Sequence, residues 1–297
     1  MVPDAPAIAW AGLALDRQPR VMGVLNVTPD SFSDGGDYAD PAAAIATGFA
    51  MAAAGADIID IGGESTRPHA LPVTPAEEQE RILPVIRALA EAGLRVSVDT
   101  RHAATMAAAL DAGATTVNDV SALAYDPQAL ALVAARDCPV VLMHMRGTPA
   151  DMPAHAHYQD VAGEVIQELA ARIAAAEAAG IRRDRIAIDP GIGFAKAARQ
   201  SLELLRRLPE LSVLGCPILV GVSRKSFLGT VSGEREPRQR LPASLAAGLF
   251  ALSRGAAILR VHDVPETVQA IKVWQALSDN SSIAGSAAAT SRPATKA

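Results

Sequence analysis

Short aliphatic runs alternate with longer stretches whose apolar positions recur at helical spacing, and the pair repeats along the whole chain. The runs at 21–27, 56–61, 95–99, 115–118, 140–143, 186–189, 217–222 and 257–261 read as buried parallel strands. Between them, the spacing predicts helices over 41–54, 74–92, 102–112, 128–136, 160–179, 201–208, 242–253 and 265–277. Thr74 and Glu77 have the spacing of a capping box, and the glycines at 55, 113 and 255 fit helix C-caps just before a strand. Eight strand and helix pairs in strict alternation predict α/β architecture, a single TIM (β/α)8 barrel over 21–277. The patch at 8–15, broken by Gly12, predicts a hairpin within 1–20 that plugs the barrel's base. The segment 278–297 is Ser-, Ala- and Thr-rich without periodicity and reads as a disordered tail.

The strand runs stop on polar groups. Asn26, Asp99, Asn118, His144, Asp189, Ser223 and His262 each fall at or just past the end of a run, with Lys225 and Arg260 close by. In α/β barrels the C-terminal ends of the strands share one mouth, and chemistry is kept there. The sharpest case is the segment 186–194, in which an apolar strand delivers Asp189 and turns at once through Pro190 and two glycines.

Composition narrows the choice. Half of the 297 residues are hydrophobic and 20% are charged, ample for a large core. No apolar run is long enough to cross a bilayer, so no membrane partner is expected. A formal net charge of −5 offers no basic field for nucleic acid. The first residues lack the basic and apolar regions of a secretory signal, which makes the cytoplasm the expected location. Cys138 and Cys216 each precede a proline leading into a strand, the setting of buried thiols rather than of a disulfide or a zinc site. Asp30, Asp34 and Asp37 lack the downstream glutamate of a calcium loop and read as turn residues. His69, His155 and His157 read as surface residues, His102 as an early helix residue, and His144 as either a packed histidine of the barrel lip or a ligand contact.

Two carboxylates, two amides and a lysine around one mouth suit a flat, nitrogen-rich heterocycle, and Arg67, Arg260 and His262 suit phosphate oxygens. The segments NVTPDSFSD (26–34), GGESTRP (62–68), SVDT (97–100), VND (117–119), LMHM (142–145), DPGIGF (189–194), GVSRKS (221–226) and RVHD (260–263) resemble, in order, the signature segments of the dihydropteroate synthase family. The resemblance covers about 20–277, and its first two segments are long and specific. It implies a transferase that joins 4-aminobenzoate to the methylene carbon of a dihydropterin diphosphate, releasing pyrophosphate, in folate biosynthesis. It also implies pterin contacts from Thr66, Asp99, Asn118, Met143, Asp189, Phe194, Lys225 and Arg260. Diphosphate would be held by Asn26, Arg67, Arg260 and His262, with Mg2+ placed by Asn26. Aminobenzoate, and competing sulfonamides, would enter a pocket of Phe32, Ser65, Thr66, Arg67, Pro68, Ser223 and Lys225. The residues implied to carry catalysis are Asn26, Arg67, Lys225, Arg260 and His262, and a homodimer through the later helices is expected.

Three positions depart from the family pattern. Ala195 precedes Lys196 where glycine is usual, Ser201 replaces a common asparagine, and His69 follows Pro68 where glycine is typical. A different class of protein, a module that binds a pterin or folate without forming the carbon–nitrogen bond, would keep Asp99, Asn118 and Asp189 but need not keep the diphosphate and aminobenzoate elements. A catalytically silent paralogue would keep them all.

Overall fold

The computed structural model describes residues 9–15, 18–28, 40–65 and 72–278. Its main sheet has eight parallel strands: β3 (Arg20–Asn26), β4 (Ile58–Gly62), β5 (Val96–Asp99), β6 (Thr116–Asp119), β7 (Val140–Met143), β8 (Ile186–Asp189), β9 (Leu219–Val220) and β10 (Ile258–Val261). From β3 to β8 each pairs with the next in chain order, β9 pairs with β10, and β10 returns to β3. Between β8 and β9 the ring closes through one parallel bridge, Ile188 to Ile218, with the Ile188 amide donating to Pro217 O at 2.9 Å. The expected TIM barrel is therefore present.

Helices α1 (Pro41–Ala53), α2 (Pro75–Glu91), α3 (Ala103–Asp111), α4 (Ala129–Arg136), α5 (Val161–Ala178), α6 (Ala198–Arg206), α7 (Ser226–Ser232), α8 (Leu241–Ser253) and α9 (Val264–Ser278) surround it. Thr74 and Glu77 do form a capping box at the start of α2. Helix α6 starts three residues earlier than its spacing suggests, and the short helix α7, unforeseen in the sequence, fills part of the connection before α8. Strand β9 keeps only two residues of the run 217–222, because Pro217 has no amide to donate and Gly221 already leaves the ladder.

Alternation along the strands sorts the residues. Val21, Leu25, Ile59, Ile61, Val96, Val98, Val117, Val140, Leu142, Ile186, Ile188, Leu259 and Val261 pack outward in the core shared with the helices. The opposite parity faces the lumen. There Met22, Ile58, Val141, Ala187, Leu219 and Ile258 form a separate apolar layer closed from below by Trp10 and Leu13. These two come from the hairpin β1 (Ala9–Trp10) and β2 (Leu13–Ala14), and the Trp10 indole donates to Arg185 O at 2.9 Å, so the plug is seated by packing and by its polar edge. Residues 1–8 and most of the tail, 279–297, lie outside the described residues.

Candidate active site

Going up the lumen from that apolar floor, the same parity delivers polar groups: Asn26 on β3, Asp60 on β4, Asp99 on β5, Asn118 on β6, Asp189 on β8 and Arg260 on β10. The ladder register puts Asn26 beside Gly62, Gly62 beside Asp99, and Asp99 beside Asn118, which makes one row; Met143 stands level with Asp189. Gly62 leaves room in that row, since a side chain there would touch Asp99.

Arg260 is the hub of the mouth. Its Nε donates to Asp60 Oδ2 at 2.6 Å and its Nη2 to Asp99 Oδ2 at 2.5 Å. Asn118 Nδ2 also donates to Asp60 Oδ2, at 2.9 Å. Asp60 is fully buried, so one guanidinium and one amide hold a carboxylate that water cannot reach. Burial pushes the Asp99 carboxyl up to about 7, against the opposing pull of Arg260. Asp60 was not legible as a site residue because it lies mid-strand rather than at a strand end. Its one sequence signal is a charged residue inside the otherwise apolar run IIDIG.

Asp189 ends β8 and its Oδ1 accepts the Gly191 amide at 2.7 Å. Burial raises its carboxyl above the usual range, with Lys225 the main opposing influence. Lys225 donates to Ile192 O and lies 4.2 Å above the Phe194 ring. Burial lowers its ammonium to about 8, and Asp189 works against that. Lys225 is placed by its own loop: Arg224, with φ 61°, pairs with Asp263, and its amide donates to Ser244 Oγ at 2.9 Å. Across the same lip, Ser223 Oγ lies 3.1 Å from His262 Nδ1 and accepts the His262 amide at 3.2 Å.

Ser65 is half-buried at the end of the described part of the second loop. That loop's stem is fixed by Glu64, which takes two hydrogen bonds from Arg101 (2.8 and 3.0 Å) and one from the Val73 amide (3.2 Å). Phe32, Thr66, Arg67 and Pro68 lie outside the described residues. Asn26, Asp99, Asn118, Met143, Asp189, Phe194, Ser223, Lys225, Arg260 and His262 are all placed on the one mouth by their strands and the loops that follow.

Asn26 is half-buried and faces the lumen, and its side-chain amide makes no hydrogen bond among the described residues. No group of three or more His, Cys, Asp or Glu gathers for a metal among them. A single hard oxygen suits Mg2+ that keeps most of its waters and rides on a diphosphate, and does not suit an all-protein metal cage.

His144 is buried at the other end of the same lip, between Lys196 and Glu168. Burial lowers its pKa, against the pull of Glu168. Lys196 reaches it from the loop after β8, and Ala195 holds the preceding position with φ 47°.

A closed α/β barrel whose mouth collects buried carboxylates, amides and cations on strand ends is an enzyme-type site. A family model for pterin binding enzymes matches residues 22–262. The chain is 46% identical over 262 residues to the dihydropteroate synthase of Synechocystis sp., covering 88% of this chain and 91% of that protein. It is 51% identical over 259 residues to a probable bifunctional folylpolyglutamate synthase/dihydropteroate synthase of Haloferax volcanii, covering 87% of this chain but spanning 30% of that longer protein. Among solved structures, the dihydropteroate synthase of Xanthomonas albilineans in complex with 7,8-dihydropteroate superposes with a TM-score of 0.81 at 49% identity, over 90% of this chain and 95% of that one. The chain belongs to the dihydropteroate synthase family of pterin binding enzymes.

Proposed function

We propose that this chain condenses 4-aminobenzoate with (7,8-dihydropterin-6-yl)methyl diphosphate to give 7,8-dihydropteroate and pyrophosphate. The observation that carries the reading is the buried Asp189 carboxylate, held by the Gly191 amide with Lys225 beside it, in a mouth whose other walls carry Asp99, Asn118 and Arg260. An acceptor-only carboxylate there matches the paired N–H donors on the edge of a pterin. A ring lacking those donors would leave buried lone pairs unmet.

The remaining roles are the ones that the family resemblance implies. Met143 and Phe194 supply apolar surface to the flat ring, and Lys225 completes its polar edge. Asn26, Arg67, Arg260 and His262 would hold the diphosphate, and Thr66 would contact the pterin. When bound through Asn26, Mg2+ would supply further neutralisation of the diphosphate charge. The aminobenzoate nitrogen attacks the methylene carbon as the carbon–oxygen bond to diphosphate breaks, and the amine then gives up a proton. Negative charge grows on the departing oxygens, so cations fixed beforehand favour the transition state over the ground state. The ring nitrogens delocalise positive charge at the methylene carbon, so no protein nucleophile is needed. Phe32, Ser65, Thr66, Arg67, Pro68, Ser223 and Lys225 would form the aminobenzoate pocket.

We also read the protein as a cytoplasmic homodimer that takes small-molecule substrates only. Phe250 on α8 and Val273 and Leu277 on α9 are exposed apolar side chains that a second copy would cover. No helix among the described residues is long and apolar enough to cross a membrane. The test of function mixes the purified chain with the dihydropterin diphosphate, 4-aminobenzoate and Mg2+, each omitted in turn. Equimolar dihydropteroate and pyrophosphate that require both substrates support the proposal; pterin binding without coupling would reduce the protein to a binding module.

A further inference from the structure

Behind the Asp189–Phe194 loop, on the side away from the lumen, lies a second polar cluster that the reaction does not use. Lys196 is 8% exposed, and its ammonium has three acceptors: Gly191 O at 3.1 Å, Phe194 O at 3.1 Å and His144 Nδ1 at 2.9 Å. An ammonium has three N–H donors and no acceptor, so in the protonated form of Lys196 all three are used and His144 Nδ1 accepts. The His144 proton is thereby placed on Nε2, which donates to Glu168 Oε2 at 3.0 Å. Glu168 is held in turn by Arg146, whose guanidinium stacks 4.0 Å from the Tyr158 ring.

The loop they hold is pressed onto the same histidine. A side chain at Gly191 would put its Cβ 1.9 Å from His144 O, and the His144 amide donates to Asp189 O at 2.9 Å. Lys225 grips the loop from the lumen through Ile192 O and the Phe194 ring, and Lys196 grips it from behind through the carbonyls of Gly191 and Phe194. The two groups that the proposed function assigns to the pterin, the Asp189 carboxylate and the Phe194 ring, sit at the two ends of this clamped segment.

We propose that Lys196, seated by His144 and Glu168, is a positioning residue for pterin recognition: it fixes the loop that carries Asp189 and Phe194 without touching the substrate. This rests on the pterin reading of the mouth. The cluster also gives the local chain a reason to tolerate Ala195 in the left-handed region, since the turn there aims Lys196 back under the loop. Burial lowers the ammonium to about 7, with the Asp189 carboxylate the main opposing influence, so its protonated form depends on these contacts.

The test uses the full-length chain and measures the dissociation constant of the dihydropterin diphosphate in Mg2+ buffer, together with KM for each substrate. Lys196→Met keeps the stem and removes all three hydrogen bonds. It is expected to weaken pterin binding and raise the pterin KM roughly tenfold or more, while the aminobenzoate KM moves by less than about threefold. Lys196→Gln, whose amide can donate to both loop carbonyls, is expected to recover most of the affinity. If the methionine variant does not fold, the glutamine variant and His144→Gln carry the comparison, with His144→Gln expected to lose affinity severalfold. Pterin affinity in Lys196→Met within about twofold of the unaltered protein, or equal rises in both KM values without rescue by glutamine, overturns the proposal. An unaltered chain that binds the pterin but makes no dihydropteroate would refute the reaction, while the binding comparison would still decide the role of Lys196.

Discussion

Asp60 offers the sharpest quantitative test of how the mouth is built. Its Oδ2 accepts from Arg260 Nε and Asn118 Nδ2, and the residue is fully buried. Asp60→Ala removes both acceptors. Asn118 then keeps a buried donor with no partner, a loss of about 1–3 kcal/mol. Stripping one partner from a buried ion pair costs about 3–5 kcal/mol when the other charge is stranded, but Arg260 retains Asp99 and is partly solvated, so the low end applies. The sum points to about 4–6 kcal/mol. In Asp60→Asn the amide oxygen can replace Oδ2 and keep both bonds, while its NH2 falls where Oδ1 has no partner, so about 1–2 kcal/mol is expected. Urea unfolding of the three proteins measures these differences. The Asn variant also removes a negative neighbour of Asp99 and leaves the charge of Arg260 undivided, so Asp99 should ionise at a lower pH than its present value of about 7. Carboxyl-carbon NMR reads that directly. An Ala variant within about 1 kcal/mol of the unaltered protein, or an Asp99 titration that rises or stays put in Asp60→Asn, would refute the Asp60–Arg260–Asp99 account.

Other consequences follow from single contacts. Ala195 has φ 47°, which costs an L-residue roughly 1–2 kcal/mol, and the extra unfolded-state freedom of glycine returns part of that; Ala195→Gly should raise stability by about 0.5–1 kcal/mol, checked by thermal unfolding. Gly191→Ala meets both a φ of 64° and a contact of 1.9 Å to His144 O, so a loss of about 3 kcal/mol or more is expected in urea, with pterin binding lost as well. The hydrogen bond from His144, with help from Arg146, lowers the Glu168 carboxyl to about 2 from 4.5. The folded-state value is depressed, so its stabilisation is present above pH 4.5 and is lost as pH falls toward 2. Glu168→Gln should flatten that part of the acid unfolding curve, modestly because the side chain is 40% exposed.

The barrel was legible because two simple signals agree along the chain: an alternation that sends Val, Ile and Leu outward, and glycine caps, as at 55, 113 and 255, that close helices before a strand. Polar strand ends then marked Asn26, Asp99, Asn118, Asp189, Ser223 and His262 for the same mouth. Helix α7 escaped because seven residues containing Gly229, Thr230 and Val231 carry little helical preference and little periodicity. Asp60 escaped because its partners, Asn118 and Arg260, lie 58 and 200 residues away, and only the closed ring brings them together. Lys196 stood in the sequence as the neighbour of an atypical alanine; its role depends on His144, 52 residues before it, and on loop carbonyls that no side-chain pattern reports.

The most direct measurement is a calorimetric titration of the dihydropterin diphosphate into the unaltered protein and Asp189→Asn, in Mg2+ buffer without aminobenzoate. In the variant, the Gly191 amide would claim the amide oxygen and turn the NH2 toward the donors of the pterin. Two charge-assisted hydrogen bonds would be lost at about 1.5 kcal/mol each or more, so affinity should fall roughly hundredfold or further. Equal affinity in the two proteins would contradict recognition of the pterin edge by Asp189, and with it the placement of the reaction at this mouth.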